Sequence, residues 1–412
     1  VLNAQGRGTT SSLLAAMDWM IANKTTYNIR VANMSLGVPA IDTWTNDPLC
    51  RKAQDLNYEG ILVVAAAGNN GRNSLGQKVY GQVHSPGNDP SVLTVGASNS
   101  LGTDTRADDV MTTYSSRGPT RSYYVDGTGT HYDNVIKPDI VAPGNKIVAA
   151  KAKSTSTLIS SDASLMTAPM NLAGDNNDVM YLSGTSMSTP MASGAAALLF
   201  QMNPKLTPTM VKMLLEYSAQ PLNGVNMLEQ GAGQLNIDGA IRIARTYKFD
   251  KDFDTYKKGD NMLQAGQSIP TASSTIAGHS FPWSQGILAN ATYIKGASLV
   301  SKFQNVYWKY YWFEDGIDYA ANGTPSLNTL WGTGLTLGTN VLWSNGQAMG
   351  GGTTMLASGV LVGDGVLVGD GVLVGDGVLV GDGVLVGDGV LVGDVTQAQR
   401  VLLYGDNTAA MR

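Results

Sequence analysis

The first 250 residues alternate between apolar runs and segments of mixed polarity. The run Ile-Leu-Val-Val-Ala-Ala at 61–66 is apolar at every position, which indicates a strand covered on both faces. Residues 208–217 place Val211, Leu214 and Leu215 on one face, which indicates an amphipathic helix. The same reasoning predicts helices at 10–23, 46–59, 186–202, 208–217 and 237–247, and strands at 29–35, 61–66, 92–97, near 110–115 and at 146–149.

This order of elements predicts the fold class. Strands that alternate with helices favour a parallel sheet covered on both faces. We therefore expect an α/β domain over residues 1–247, with a central parallel sheet between two helical layers.

The chain changes character after Tyr247. Residues 248–357 are polar and aromatic, and alternation around 306–313 indicates strands of an accessory β-rich region. Its clustered aromatic residues could bind polysaccharide, a cell surface or a protein partner, but burial in a β core is the more frequent role of such residues. These residues are Phe303, Tyr307, Trp308, Tyr310, Tyr311, Trp312 and Phe313.

A perfect repeat follows. Gly-Val-Leu-Val-Gly-Asp occurs six times between Gly359 and Asp394, so we assign a repeat tract to 358–394 and a tail to 395–412. A period of six fits short strands joined by Gly-Asp-Gly turns, as in a stacked β-solenoid. An unstructured tract is the alternative, because a single such unit buries almost no surface.

Composition excludes several classes of function. Charged residues make up 14% of the 412 residues, against a usual quarter, and the net charge is −5. This charge provides no basic patch for nucleic acid, and no apolar run is long enough to span a membrane. The single cysteine, Cys50, cannot form an internal disulfide, and we expect it to be a packing residue.

The segment Ser-Gly-Thr-Ser-Met-Ser-Thr-Pro-Met-Ala-Ser-Gly at 183–194 has the pattern of a nucleophile at a helix start. Gly184 permits an unusual turn, and Ser186 follows where free backbone N–H groups point outward. Pro190 is expected in the first helical turn, where a missing N–H costs least. As a bare pattern of small residues, the same segment could be a turn that caps a buried helix.

A second polar position follows the apolar strand at 61–66. Ala-Ala-Gly-Asn-Asn ends the strand, with Asn69 at the turn. An asparagine there could serve the turn alone, since it tolerates left-handed backbone. It could also supply an uncharged, preorganised N–H donor to a developing oxyanion.

Together these segments resemble the subtilases, the subtilisin-like serine proteases. The literal string Gly-Thr-Ser-Met-x-x-Pro-x-x-x-Gly resembles the serine motif of that family, and Ala-Ala-Gly-Asn resembles its oxyanion motif. Four further segments follow the family's order between residues 33 and 144: Asn33–Gly37, Ser85–Gly96, Tyr114–Pro119 and Lys137–Gly144.

The resemblance implies a serine-type endopeptidase, secreted, that acts on proteins or peptides. It implies Ser186 as nucleophile, and Asn69 with the Ser186 N–H as oxyanion donors. No cofactor is expected for the chemistry, and structural calcium is compatible with the family, with no site assigned. The substrate-binding residues implied are Ser35, Leu36, Gly37, Ala65, Ala66, Gly68, Pro86 and Gly87. Small residues on both walls predict an open pocket that tolerates apolar side chains.

The chain departs from the family pattern in one respect. No Asp-Thr-Gly or His-Gly-Thr-His motif precedes Ser186, and the first residues resemble the segment after the histidine motif. We therefore expect a catalytic domain that lacks its Asp and His, inactive on its own. His84 and His131 could in principle substitute, although a lone histidine is more often structural or solvated. The alternative function is a non-catalytic surface or binding protein on a protease scaffold.

Overall fold

The computed structural model describes residues 1, 8–73, 76, 78–150, 179–290 and 292–308, and two short strands at 348–349 and 353–354. All of the predicted site residues lie within these ranges. The predicted repeat tract at 358–394 and the tail at 395–412 lie outside the described residues.

A parallel sheet forms the centre of the molecule. Its strands are β1 (Val31–Met34), β3 (Leu62–Ala66), β5 (Leu93–Asn99) and β9 (Ile140–Pro143), paired in that order. The short β6 (Val110–Met111) pairs antiparallel with the end of β5. The predicted α/β class with a central parallel sheet is confirmed.

One face of the sheet is covered by two helices, α1 (Thr10–Tyr27) and α2 (Pro48–Tyr58). Side chains such as Met17 and Leu56 pack there against alternate strand residues, including Val63 and Ala65. The Asp47 side chain accepts hydrogen bonds from the backbone N–H groups of Leu49 and Cys50, which satisfies the free donors at the start of α2. Because β3 alternates its side chains, its other residues face the second helical layer.

The second layer contains α3 (Thr185–Met202), α4 (Pro208–Ser218) and α6 (Ile237–Ala244). These helices bury Leu62, Val64 and Val95 in a core shared with residues of α3 and α4. The Thr207 side chain accepts from the Met210 N–H at 3.2 Å, so the predicted Thr-Pro helix start is present. The short helix α5 spans Met227–Gln230.

The remaining strands form small antiparallel pairs. β2 (Val38–Pro39) pairs with β4 (His84–Ser85), and β10 (Ile147–Ala150) pairs with β11 (Val179–Leu182). The other pairs are β7 (Tyr123–Asp126) with β8 (Gly129–Tyr132), β12 (Ser273–Ile276) with β13 (His279–Pro282), β14 (Gly286–Ala289) with β15 (Thr292–Lys295), and β16 (Ala348–Met349) with β17 (Thr353–Thr354). The helix α7 spans Ser298–Ser301.

Most predicted elements are present, with shifted ends. The strand expected near 110–115 is only two residues long. Residues 113–119 turn away from the sheet, and their backbone groups form hydrogen bonds with neighbouring loops. The helix predicted at 237–247 ends at Ala244, three residues before the predicted end. Cys50 is fully buried beside Trp44 and Val135, as expected of a packing residue.

The hydrophobic core continues past Tyr247. Strand β14 is buried along its length, and Ile287 and Ala289 join the same core as the strands of the central sheet. Phe303 and Tyr307 are 2% and 0% exposed, so burial is the role of these two aromatic residues. The core therefore crosses the position 247/248 at which the sequence changes character.

A cluster of buried charges connects the sheet to α4 and β14. Asp139 lies 2.8 Å from the Lys137 ammonium and 3.0 Å from that of Lys212, and it accepts from the Thr94 N–H. Glu216, one helical turn after Lys212, accepts from the Leu288 N–H at 2.9 Å. Burial raises the pKa of the Glu216 carboxyl and lowers the pKa of Lys137 to about 8. Asp139 is the carboxylate that both lysines contact.

Candidate active site

The predicted site residues meet at the carboxyl edge of the sheet. β1 and β3 are parallel neighbours with Met34 opposite Ala65, so the segments that follow them leave the sheet side by side. Helix α3 begins at the same edge, because the Gly184 N–H donates to the Gly144 carbonyl just after β9. Open α/β sheets bind their ligands at this edge.

Ser186 lies at the start of α3, partly exposed to solvent. It is the second helical residue, where backbone N–H groups have no partner within the helix. Its Oγ donates a hydrogen bond to the Ser35 carbonyl at 3.0 Å. The hydroxyl therefore points into the gap between the helix and the segment after β1.

Asn69 faces the same gap with its orientation fixed by Thr185. The Asn69 Oδ1 accepts from the Thr185 N–H at 2.9 Å and from the Thr185 hydroxyl at 3.0 Å. The Thr185 Oγ1 in turn accepts from the Gly68 N–H at 3.2 Å. Since Oδ1 is occupied, the Asn69 NH₂ group is the end presented to a ligand. Sequence reasoning missed Thr185, whose role shows only once both loops are in place.

Gly184 keeps the space between these two groups open. Its φ of +143° belongs to the region that favours glycine. A methyl group on its Cα would lie 3.4 Å from the Asn69 Nδ2 and 3.7 Å from the Ser186 nitrogen. These are ordinary contact distances, so the predicted need for glycine at this turn is explained by its positive φ.

Pro190 does not lie where the sequence indicated. The helix begins at Thr185, so Pro190 is the sixth helical residue and lies inside α3. Its missing N–H removes the helix hydrogen bond that would reach the Ser186 carbonyl. The first-turn prediction was wrong because Pro190 follows the helix start by more than the 3.6 residues of one turn.

The two predicted substrate segments run along opposite sides of the gap. Ser35, Leu36 and Gly37 follow β1 and are partly exposed, whereas Ala65, Ala66 and Gly68 are buried with the end of β3. The Gly68 carbonyl also accepts from the Ser116 N–H at 2.9 Å, which holds that segment in place. Ser35 contacts Ser186 and Gly68 contacts Thr185, so both segments lie beside the start of α3.

Pro86 and Gly87 follow β4 and belong to neither of these two segments. Both are buried, and the Gly87 carbonyl accepts from the Thr94 hydroxyl at 2.6 Å. The partly exposed residue of this loop is His84, which sequence reasoning placed only near the pocket. Its ring nitrogen Nε2 lies 3.3 Å from the Asn70 side-chain nitrogen.

None of the three histidines makes a hydrogen bond with Ser186 among the described residues. His131 contacts Asp126 and Thr128 at 2.9 Å on an exposed hairpin, and His279 lies on the exposed strand β13. Among the hydrogen bonds of the described residues, none joins an imidazole or a carboxylate to the Ser186 hydroxyl.

His84 makes the stability of the fold sensitive to acid. Burial lowers the pKa of its imidazole from about 6.5 to about 4. The unfolded chain binds the proton first, so the stability contributed by neutral His84 is present above pH 6.5 and is lost as pH falls to 4. We expect wild type to lose up to about 3 kcal/mol relative to His84→Gln across this range. Urea unfolding of both proteins at pH 7 and pH 4 checks this, and parallel pH curves would contradict it.

Comparison with known proteins identifies the family of the chain. Residues 1–239 match the model of the subtilase family, and the chain belongs to that family. The family is one of serine-type peptidases, in accordance with the serine, the amide and the paired backbone segments described above.

Individual relatives show how much of the chain is shared. The chain is 34% identical over 250 residues to the serine protease AprX of Bacillus subtilis. The aligned region covers 58% of this chain and 50% of that protein. It is 31% identical over 242 residues to the membrane-bound transcription factor site-1 protease of Rattus norvegicus, covering 58% of this chain and 18% of the relative. The match thus spans half or less of the length of these relatives. The solved prenylagaramide maturation protease PagA is 26% identical, with a TM-score of 0.40 over 57% of this chain and 68% of that one.

Two kinds of site are absent from the described residues. No cluster of three or more histidine, cysteine, aspartate or glutamate side chains could hold a metal ion there. In the same part of the chain, no helix has the length and apolar character needed to cross a membrane.

Proposed function

We propose that this chain carries the nucleophile and oxyanion site of a serine endopeptidase that cleaves proteins through an acyl-enzyme. The observation that carries the proposal is the position of Ser186. Its hydroxyl lies at a helix start, 3.0 Å from the Ser35 carbonyl, with the oriented Asn69 amide across the gap. A turn that merely capped a buried helix would need neither group in this position.

The proposed chemistry assigns one task to each group. Ser186 Oγ attacks the scissile carbonyl, and the negative charge that develops on the carbonyl oxygen is stabilised by the Asn69 NH₂ group and the Ser186 N–H. Asn69 suits this task because an amide donates a hydrogen bond without competing for the proton. The substrate backbone lies along Ser35–Gly37, in antiparallel pairing, which holds the scissile bond beside the hydroxyl.

The proposal requires a base that the described residues do not bring to Ser186. A serine hydroxyl is a weak nucleophile until a base takes its proton, and a third group must orient that base. Without both, turnover falls about a million-fold in subtilisin. We expect the described residues alone to react slowly with peptides, with the Asp and His pair supplied by other residues.

Covalent labelling tests the assignment of Ser186 without requiring full turnover. The full chain is treated with a peptidyl fluorophosphonate, and the adduct is mapped by mass spectrometry. We expect one adduct per chain, on Ser186, formed at least about ten times faster than on any other serine, as follows from a positioned oxyanion site.

Two variants control this experiment. Ser186→Ala should lose the adduct, and Ser188→Ala should keep it, because the Ser188 hydroxyl is buried and bonded to the Ala142 carbonyl at 2.9 Å. Labelling that is scattered over several serines would reject the proposed nucleophile.

One observation favours the alternative, a binding protein on a protease scaffold. His84 and His131 are engaged with Asn70 and with Asp126, away from Ser186. A non-catalytic scaffold would show no preferential labelling of Ser186 but would still bind peptides along Ser35–Gly37. The labelling rate therefore separates the two functions.

A further inference from the structure

Ser35 is held through both its backbone and its side chain. Its carbonyl accepts a hydrogen bond from the Ser186 hydroxyl at 3.0 Å, and its own hydroxyl accepts from the Asn33 side-chain NH₂ group at 3.0 Å. The first contact comes from helix α3, and the second comes from strand β1. The first residue of the predicted substrate segment is therefore tied to two elements at once.

Asn33 is in turn held by helix α3. Its Oδ1 accepts a hydrogen bond from the Ser193 hydroxyl at 2.8 Å, which leaves its NH₂ group directed at Ser35. Within β1, Ala32 and Met34 are buried against the layer of α1 and α2, so the alternation of the strand turns Asn33 toward the layer of α3. The position of this amide is thus set by the strand and by the helix together.

Ser193 lies on the same face of α3 as Ser186. The two serines are seven positions apart, which is close to two helical turns of 3.6 residues. Ser193 is 9% exposed, and its hydroxyl also lies 3.1 Å from the Thr189 carbonyl. Since a hydroxyl has a single proton to donate, the shorter contact, to Asn33, is the one that it makes. The helix therefore fixes the separation between the nucleophile and the residue that holds Asn33.

We infer that Asn33 and Ser193 are positioning residues, which act through Ser35 to hold the substrate segment 35–37 at a fixed distance from the Ser186 hydroxyl. This inference rests on the proposed function. A misplacement of about 1 Å can cost about 100-fold in rate when reacting groups must be aligned, so a backbone that pairs with substrate has to be held rigidly. A reagent that reacts with the serine without pairing with this segment needs no such alignment.

The test compares two reagents on the full chain. One is the peptidyl fluorophosphonate, whose peptide pairs with the segment 35–37, and the other is a small alkyl fluorophosphonate without a peptide. The measured quantity is the ratio of their second-order rate constants at Ser186. Asn33→Ala and Ser193→Ala should each lower the rate with the peptidyl reagent about three- to tenfold, the effect of one lost hydrogen bond, and lower the rate with the alkyl reagent less than about twofold.

Three further variants control the comparison. The double variant Asn33→Ala with Ser193→Ala should lower the ratio no further than the larger single change, because both residues act through one chain of hydrogen bonds. Ser193→Thr keeps a hydroxyl and should retain the wild-type ratio. Ser301→Ala removes a similar helical hydrogen bond, to the Ala297 carbonyl at 2.9 Å in the separate helix α7, and should leave the ratio unchanged.

The outcomes separate the inference from the proposed function. Selective labelling of Ser186 with an unchanged ratio in both alanine variants, folded by circular dichroism, would support the peptidase and overturn the positioning role. An equal loss with both reagents would overturn that role as well, since it indicates a general disturbance of the serine. If Asn33→Ala fails to fold, Ser193→Ala and Ser193→Thr decide.

Calorimetry with a tetrapeptide acid decides the case in which Ser186 is not labelled selectively. Binding that is weaker by at least about threefold in both alanine variants would then support the hold on Ser35 and count against the peptidase. Unchanged binding, or no binding to wild type, would overturn the positioning role.

Discussion

Replacing Asp139 with asparagine is expected to lower the free energy of unfolding by about 3–5 kcal/mol, the usual cost of breaking a buried ion pair. Asp139 is 1% exposed and contacts two lysines that are 0% and 1% exposed. Asparagine keeps the size of the side chain but removes the negative charge that both Lys137 and Lys212 contact. Since a domain is stable by only about 5–15 kcal/mol, the loss is a large share of the total stability and should lower the urea midpoint clearly.

Urea titration followed by circular dichroism measures this effect, and a surface pair provides its control. Lys205 and Asp252 also lie 2.8 Å apart, but their side chains are 38% and 63% exposed. Asp252→Asn should change the unfolding free energy by less than about 1 kcal/mol. A loss of similar size in the two variants would show that burial of the Asp139 cluster does not govern stability.

Replacing Asn69 with alanine is expected to slow reaction at Ser186 by about 100- to 1000-fold, a magnitude known from the corresponding donor of subtilisin. The Thr185 hydrogen bonds hold the Asn69 amide before substrate arrives, so no reorganisation is needed when charge develops. Alanine removes this donor and leaves the Ser186 hydroxyl beside Ser35. The loss should therefore fall on the rate of reaction and leave peptide binding nearly unchanged.

The measurement is the second-order rate constant for fluorophosphonate labelling, together with peptide affinity from calorimetry. Asn46→Ala is the matched control, because Asn46 is an exposed amide on the loop before α2. A rate for Asn69→Ala within threefold of wild type would remove Asn69 from the oxyanion site. Equal losses of rate and affinity would instead indicate a role in binding.

The sheet and its helices could be predicted because their signals are local. The fully apolar run 61–66 and the Thr207-Pro208 helix start act within a few residues, and both are present. Ser186 and Asn69 were recognised from short segments, and the structure brings them to one edge of the sheet. For these two residues, the local sequence pattern and the family resemblance indicated the same positions.

What the sequence did not provide depends on contacts between distant segments. His84 lies opposite Pro39 because β4 pairs with β2, a two-residue interaction across 45 positions of the chain. The pairing of Asp139 with Lys212 likewise joins residues far apart in sequence. Neither position could be predicted to be buried from the residue type, since a lone histidine or lysine is usually solvated.

The hydrogen bond from Leu288 to Glu216 has a consequence for how this protein can be recombined with others. The family match ends at residue 239, yet the hydrophobic core of the matched domain includes residues as far as Tyr307. An exchange of C-terminal regions at residue 247 would leave the Glu216 carboxyl without its backbone donor and would uncover the Tyr217 side of α4. A recombined chain is therefore expected to fold only if residues 248–307 stay with the domain they pack against.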